Sequence, residues 1–201
     1  MMRRCLQLQF CAVLLLSVGG ANRGYSQATF LFDNYRDVDA PIFDAAGNRL
    51  FGTNFLAALY GGPSPDSLEP AYVSLSTGHY PAWAPIAFLR GGLAGYFAVG
   101  VAYVGNVPSG PGGAEAWLQI RAWDTRLGAT YEEVAGLGQG GYGESNIFKE
   151  RGGFDGGGVP TLPGHLFGLK SFSLREIPEP SSALLLLLGL PFVLRRLRRT
   201  R

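Results

Sequence analysis

Cysteine is almost missing from this chain of 201 residues, and its two cysteines, Cys5 and Cys11, both fall within the first eleven positions. Everything downstream is barred from disulfides, thiolate metal sites and cysteine nucleophiles. Histidine is as scarce. His79 and His165 stand alone, and neither has a partner at metal-ligand spacing. The run Gly152-Gly-Phe-Asp-Gly-Gly-Gly158 lacks the Gly-Lys-Ser/Thr ending of a phosphate loop and reads as a mobile loop or linker. No nucleophile-elbow motif supports a Ser-His-Asp triad. The sequence therefore assigns no catalytic residue, no metal ligand and no cofactor, and the chain is not expected to be an enzyme.

A basic surplus is missing as well. The formal charge is +2, but residues 27–178 carry nine Lys+Arg against fourteen Asp+Glu, a net of −5. The positive charge belongs to the two ends. Nucleic-acid binding needs a basic footprint and finds none in the body of the chain.

The ends carry the most legible signals. Met1–Arg4 holds two arginines, residues 6–18 are largely apolar, and Gly19, Gly20 and Ala21 follow. Those are the three regions of a secretory signal peptide, with cleavage after Ala21 or after Ser26, each having small residues at −1 and −3. Both cysteines leave with it, and neither has the Leu-small-small context of a lipidation site. At the other end, Pro178-Glu179-Pro180 precedes an apolar run at 183–194 and an arginine cluster, Arg195, Arg196, Arg198, Arg199 and Arg201. Arginines resist translocation, so the cluster should stay cytoplasmic and leave the preceding chain outside. Twelve apolar residues make a helix of about 18 Å at ~1.5 Å per residue, against a bilayer core of about 30 Å. Snorkelling arginines lengthen the effective span, and Pro191 should kink it. The expectation is a marginal membrane helix.

This ordered set of motif, apolar run and arginines resembles the PEP-CTERM sorting tail of exported bacterial proteins. The resemblance implies processing near the motif by an intramembrane cysteine protease-transpeptidase, an exosortase; the plain alternative is a single-pass anchor that is never cut. Further phrases are similar to those of uncharacterised PEP-CTERM proteins from bacteria that make extracellular polysaccharide: Asp39-Ala-Pro-Ile-Phe-Asp44, Asn54-Phe-Leu-Ala-Ala-Leu-Tyr-Gly-Gly62, Gln119-Ile-Arg-Ala-Trp-Asp124, Tyr142-Gly-Glu-Ser-Asn146 and Leu169-Lys-Ser-Phe-Ser-Leu174. They imply a surface or matrix protein and carry no known substrate.

Three parts follow: a signal peptide at 1–26, an exported domain at 27–175 and a sorting tail at 176–201. About 150 residues suffice for one core. Thirty glycines, thirteen prolines and short apolar segments between turn signals point to β-structure. Strands are expected at Ala28–Phe32, Pro41–Phe43, Phe55–Tyr60, Tyr72–Ser76, Gly95–Val104, Ala114–Trp123, Asn146–Lys149 and Phe167–Leu174. Asp44–Asn48 reads as a turn in which Gly47 and Asn48 can take positive φ. Thr130-Tyr-Glu-Glu133 matches a capping box, with Gly136 or Gly138 closing the short helix. The fold class is mostly β: a single β-sandwich, Ig-like or jelly-roll-like, with one short helix, flanked by a signal helix and a C-terminal membrane helix.

Period-two alternation in Ala114–Asp124 puts Ala116, Leu118, Ile120 and Ala122 on a core face. Glu115, Trp117, Gln119, Arg121 and Trp123 share the other. Two indoles flanking Gln119 and Arg121 could stack on sugar rings; equally, the tryptophans could be packing, with Arg121 snorkelling. Asp33, Asn34, Asp37, Asp39 and Asp44 gather oxygen ligands, as calcium sites do, but without EF-hand spacing, and acids of this kind also line loops. Glu132 and Glu133 would form a glycosidase pair only across a cleft; the helix cap explains them otherwise.

The expectation is an exported surface or extracellular-matrix protein, passing the secretion translocon and an inner-membrane intermediate, held by residues 183–194 and cut by an exosortase-type enzyme, then cell-surface or extracellular. The alternative is a carbohydrate-binding module for extracellular polysaccharide, through Trp117, Gln119, Arg121 and Trp123.

Overall fold

The alternation read in the sequence places the centre of the molecule. Ala114, Ala116, Leu118, Ile120 and Ala122 are all 0% exposed and face one core. They belong to β7 (Gly113–Asp124), the strand with the most partners. The computed structural model describes residues 25–75, 85–110, 113–154 and 161–176; residues 1–24 of the expected signal peptide and 177–201 of the expected sorting tail lie outside the described residues.

Among the described residues the domain is mostly β with one short α-helix. The strands are β1 (Tyr25–Asp33), β2 (Gly52–Gly62), β3 (Glu69–Pro70), β4 (Tyr72–Leu75), β5 (Ile86–Phe88), β6 (Ala98–Gly110), β7, β8 (Tyr142–Glu144) and β9 (Phe148–Phe154), with α1 at Tyr131–Leu137. Antiparallel pairing runs β3-β2-β7-β9-β1-β6-β4, with β5 on β2 and β8 on β7. The strand β6 also pairs back to β7 through Ser109↔Ala114 and Gly110↔Gly113. The four strands β7, β9, β1 and β6 thus close a ring around the apolar interior, and no edge is left between them.

Inside lie Phe30 and Phe32 of β1, Leu59 of β2, Val104 of β6 and the even positions of β7. Phe97 packs against Phe32 and Phe88, at centroid distances of 4.7 and 5.9 Å. Opposed strands approach closely where small residues allow it. A Cβ on Gly61 would stand 2.7 Å from both methyls of Val104, so any side chain there would force β2 off β6.

Most of the expected strands form, with shifted ends. Pro41–Phe43 does not: only Phe43 makes bridges, to Arg49 and Ser173. Of Asn146–Lys149 only Phe148 and Lys149 are strand, the start of β9, and Asn146 and Ile147 belong to the connector from β8. In the connector, the Asn146 amide accepts from Lys170 N at 3.1 Å and donates to Gly168 O at 2.9 Å. The glycine run expected to be a mobile loop is partly strand. Gly152 and Gly153 lie in β9, where a Cβ on Gly152 would meet Ala28 and Phe30 at 2.8 Å.

Phe167–Leu174 is not a strand either. Residues 161–176 form an irregular strap that buries Leu166, Leu169 and Leu174 while Phe167 stays exposed. Backbone bonds pin it to β1 (Leu31 N to Gly164 O, 2.8 Å), to Phe43 (Leu174 N to Phe43 O, 2.9 Å) and to β8 (Arg175 N to Tyr142 O, 2.8 Å).

The Asp44–Asn48 turn forms as read. Asp44 Oδ1 accepts from Ala46 N and Asn48 N, and Gly47 takes φ +84°; Asn48 does not adopt positive φ. The capping box is complete: Thr130 Oγ1 accepts from Glu133 N at 3.2 Å, Glu133 Oε2 accepts from Thr130 N at 3.3 Å, and Gly138 closes α1 in the left-handed region.

Candidate functional site

The outer face of β7 is covered by α1. A second apolar cluster of Ala58, Tyr60, Trp123, Tyr131 and Val134 lies between helix and sheet, so the later part of β2 and the end of β7 are buried on both sides. Trp123 is 0% exposed and its indole N–H has no hydrogen-bond partner. A ring closed off from solvent cannot stack on a sugar. The expected two-tryptophan platform is therefore not formed: Trp117 remains half-buried on the strand and Trp123 is core.

Arg121 is not a free sugar ligand either. Its guanidinium carbon lies 4.0 Å from the Tyr60 ring centroid and 5.1 Å from that of Tyr131. Its Nε donates to Gln119 Oε1 at 3.0 Å and Nη1 to Glu132 Oε1 at 3.5 Å. Tyr60 donates its hydroxyl to the same Glu132 oxygen at 2.7 Å. Burial, reinforced by the bond to Glu132, raises the Tyr60 phenol above its ordinary range. Burial and the neighbouring Glu144 carboxylate push Tyr131 up to about 12. Cation, rings and carboxylates thus fasten α1 to the sheet.

The remaining candidates are separated by the fold. Glu133 is turned into its cap and Glu132 toward Tyr60 and Arg121, so the two carboxylates do not face each other across a cleft. Of the acidic loop, Asn34 is fully buried and organises backbone, accepting from Phe97 N and donating to Ala40 O and Gly95 O. Asp37 pairs with His165 at 2.9 Å, Asp39 accepts from Tyr96 at 2.6 Å, and Asp44 holds its own turn. Among the described residues no group of three or more His, Cys, Asp or Glu side chains is placed to hold a metal ion. His79 and the sorting residues Pro178, Glu179, Pro180, Arg195, Arg196, Arg198 and Arg199 lie outside the described residues. Among those described, no helix is long and apolar enough to cross a membrane.

The structure assembles a cavity that the linear reading missed. About 240 Å³ in volume, it is walled by the Asp44–Ala46 turn, the start of β2, the end of β7, the approach to β8 and the strap. Phe55 and Leu174 contribute apolar surface, and Arg126 and Arg175 contribute guanidinium groups. Asp124, almost wholly buried, fixes Arg126: Nε lies 2.8 and 3.1 Å from the two carboxylate oxygens, and Nη2 completes the fork. Arg126 Cζ sits 5.7 Å from the Phe55 centroid. Asp124 and Arg126 two positions apart were the only local signal; Asp44 and Leu174 are far off in sequence.

No family model, curated protein or solved structure matches this chain.

Proposed function

We propose that this is an exported surface or extracellular-matrix protein, tethered through residues 183–194 and processed near Pro178-Glu179-Pro180 by an exosortase-type enzyme. The observation that carries this reading is the order of motif, apolar run and arginine cluster at 178–201. One arginine side chain at the centre of a bilayer opposes insertion by about 2.5–3.5 kcal/mol, so a cluster of them sets a firm limit to transfer. The domain is consistent with that plan. Its described strands begin at Tyr25 and its strap is pinned as far as Arg175, which supports a folded body between the two proposed targeting segments.

The finer architecture we propose is a β-sandwich-like body, jelly-roll-like rather than Ig-like. Support comes from β2 and β6 meeting across the interior at Gly61 and Val104 while the pairings stay continuous at the ends. Signal cleavage after Ala21 is the reading that keeps β1 whole, because Tyr25 pairs with Pro108 and Ser26 with Val107.

The test is intact mass and cell fractionation of the full chain, expressed with and without an exosortase. Processing predicts a species ending near 178–182 that leaves the membrane only when the enzyme is present. Retention of the complete tail in the membrane fraction under both conditions would reject it.

A further inference from the structure

The cavity at the end of β7 has a composition that selects among ligands. Its charged side chains are Asp44, Asp124, Arg126 and Arg175, two of each sign, so its net charge is zero. A phosphate or carboxylate ligand would sit beside the Asp44 carboxylate and an Arg126 already neutralised by Asp124, and a cation would meet two guanidiniums. A purely apolar ligand would desolvate the polar rim without replacing its hydrogen bonds. What remains is a neutral molecule with hydroxyl groups around an apolar body.

The polar groups are held in advance. The Nε and Nη2 atoms of Arg126 are committed to buried Asp124, which fixes the guanidinium plane; its Nη1 has no partner among the described residues and is left to donate. Arg175 is steadied by Tyr142, with Nη1 donating to the hydroxyl at 3.0 Å, and by Glu144 at 3.6 Å. Asp44 Oδ1 is saturated by two backbone N–H groups, whereas Oδ2 accepts only from Asn48 Nδ2 at 3.1 Å and retains acceptor capacity. Donors and an acceptor at set positions beside Phe55 and Leu174 suit a pyranose, whose hydroxyls lie around the rim of a C–H face. At about 240 Å³ the cavity falls below the roughly 300 Å³ at which pockets for drug-sized ligands begin. It has room for one ring.

We propose that this cavity binds a single neutral sugar unit, such as a terminal or pendant residue of a polysaccharide. The proposal does not depend on the sorting-tail reading. It moves carbohydrate recognition from the Trp117/Trp123 face, where Trp123 is buried, to a site built by five chain segments.

The test is saturation-transfer NMR on the purified full chain in a zwitterionic detergent that itself carries no sugar. The probes are glucose, galactose, mannose and N-acetylglucosamine, with glucuronate as the anionic comparison. The expected result is transfer to at least one neutral sugar and an affinity at least tenfold lower in Ala46→Trp, which fills the cavity from its exposed turn. A tenfold loss corresponds to about 1.4 kcal/mol. Should that variant fail to fold, Arg175→Gln removes one donor fork and leaves the backbone pinning of the strap in place; it should weaken binding likewise. Absence of transfer to every neutral sugar, or an unchanged affinity in the folded variants, would overturn the proposal. Tighter binding of glucuronate than of any neutral sugar would overturn it too, marking an anion site instead.

Discussion

The two faces of β7 are made from alternate residues of one strand and are held by different physics. The inward face is Ala114, Ala116, Leu118, Ile120 and Ala122, wholly apolar and wholly buried in the ring of strands. The outward face carries Gln119, Arg121 and Trp123 beneath a seven-residue helix, where rings, a cation and carboxylates share the work. Burial on the first face is non-directional and depends on area and fit. On the second it depends on each polar group finding its partner. The first face should therefore fail globally, and the second locally.

The largest effect should come from truncating the inward face. Ile120→Ala, at 0% exposure, should cost about 2–5 kcal/mol by denaturant unfolding and accelerate amide exchange across all the ring strands. If exchange rose only around α1, the contrast between the faces would be wrong. Arg121→Met keeps the stem over Tyr60 but removes the donors to Gln119 and Glu132. A loss of about 1–2 kcal/mol, with exchange rising at residues 131–137 and little change in β1 or β6, is expected.

Alkaline pH sharpens the same comparison without a mutation. Burial raises Tyr131 to about 12, so the folded state holds that proton more tightly than the unfolded chain does. Its contribution is complete below pH ~10, the ordinary tyrosine value, and is lost as pH rises through about 12. A tyrosinate absorbance titration should find Tyr131 late, together with loosening of α1 before the ring strands. Removal of the lateness by Tyr131→Phe would make the assignment; an unchanged curve would remove it. The smallest effect belongs to the exposed pairs between β7 and β9. Lys149 and Arg151 both hold Glu115, at 2.5 and 3.2 Å, yet all three side chains are 43–59% exposed. Glu115→Gln should change stability by less than about 1 kcal/mol, and less still in high salt.

Local rules were legible. Alternation located the core face of β7, the Thr130–Glu133 spacing located the helix and its cap, and Asp44 with Gly47 located a turn. Each is settled by residues within a few positions of one another. Readings that needed a distant partner were not settled. Phe167–Leu174 has strand-like composition, but its leucines are buried by separate parts of the body, with Asn146 and Phe43 taking its backbone bonds. The β5 strand is three residues long and owes its existence to pairing with β2. Gly152 and Gly153 resemble a linker in sequence because nothing nearby reveals that Ala28 and Phe30 will press against Gly152, and Thr29 and Leu162 against Gly153.

The same division runs through the candidate sites. The proposed export plan rests on the sequence alone, because a signal peptide and a charged membrane stop would act as linear, locally read segments. The sequence determined the period of β7 and the start and stop of α1 for the same reason: alternation and capping involve neighbours in the chain. Only the tertiary structure decided that Trp123 is core rather than platform, since that required α1 to fold back over the strand. Only the tertiary structure decided that Asp44, Phe55, Asp124, Arg126 and Arg175 line one cavity. Those residues span more than 130 positions of sequence, and the closing of the strand ring with its strap is what brings them together.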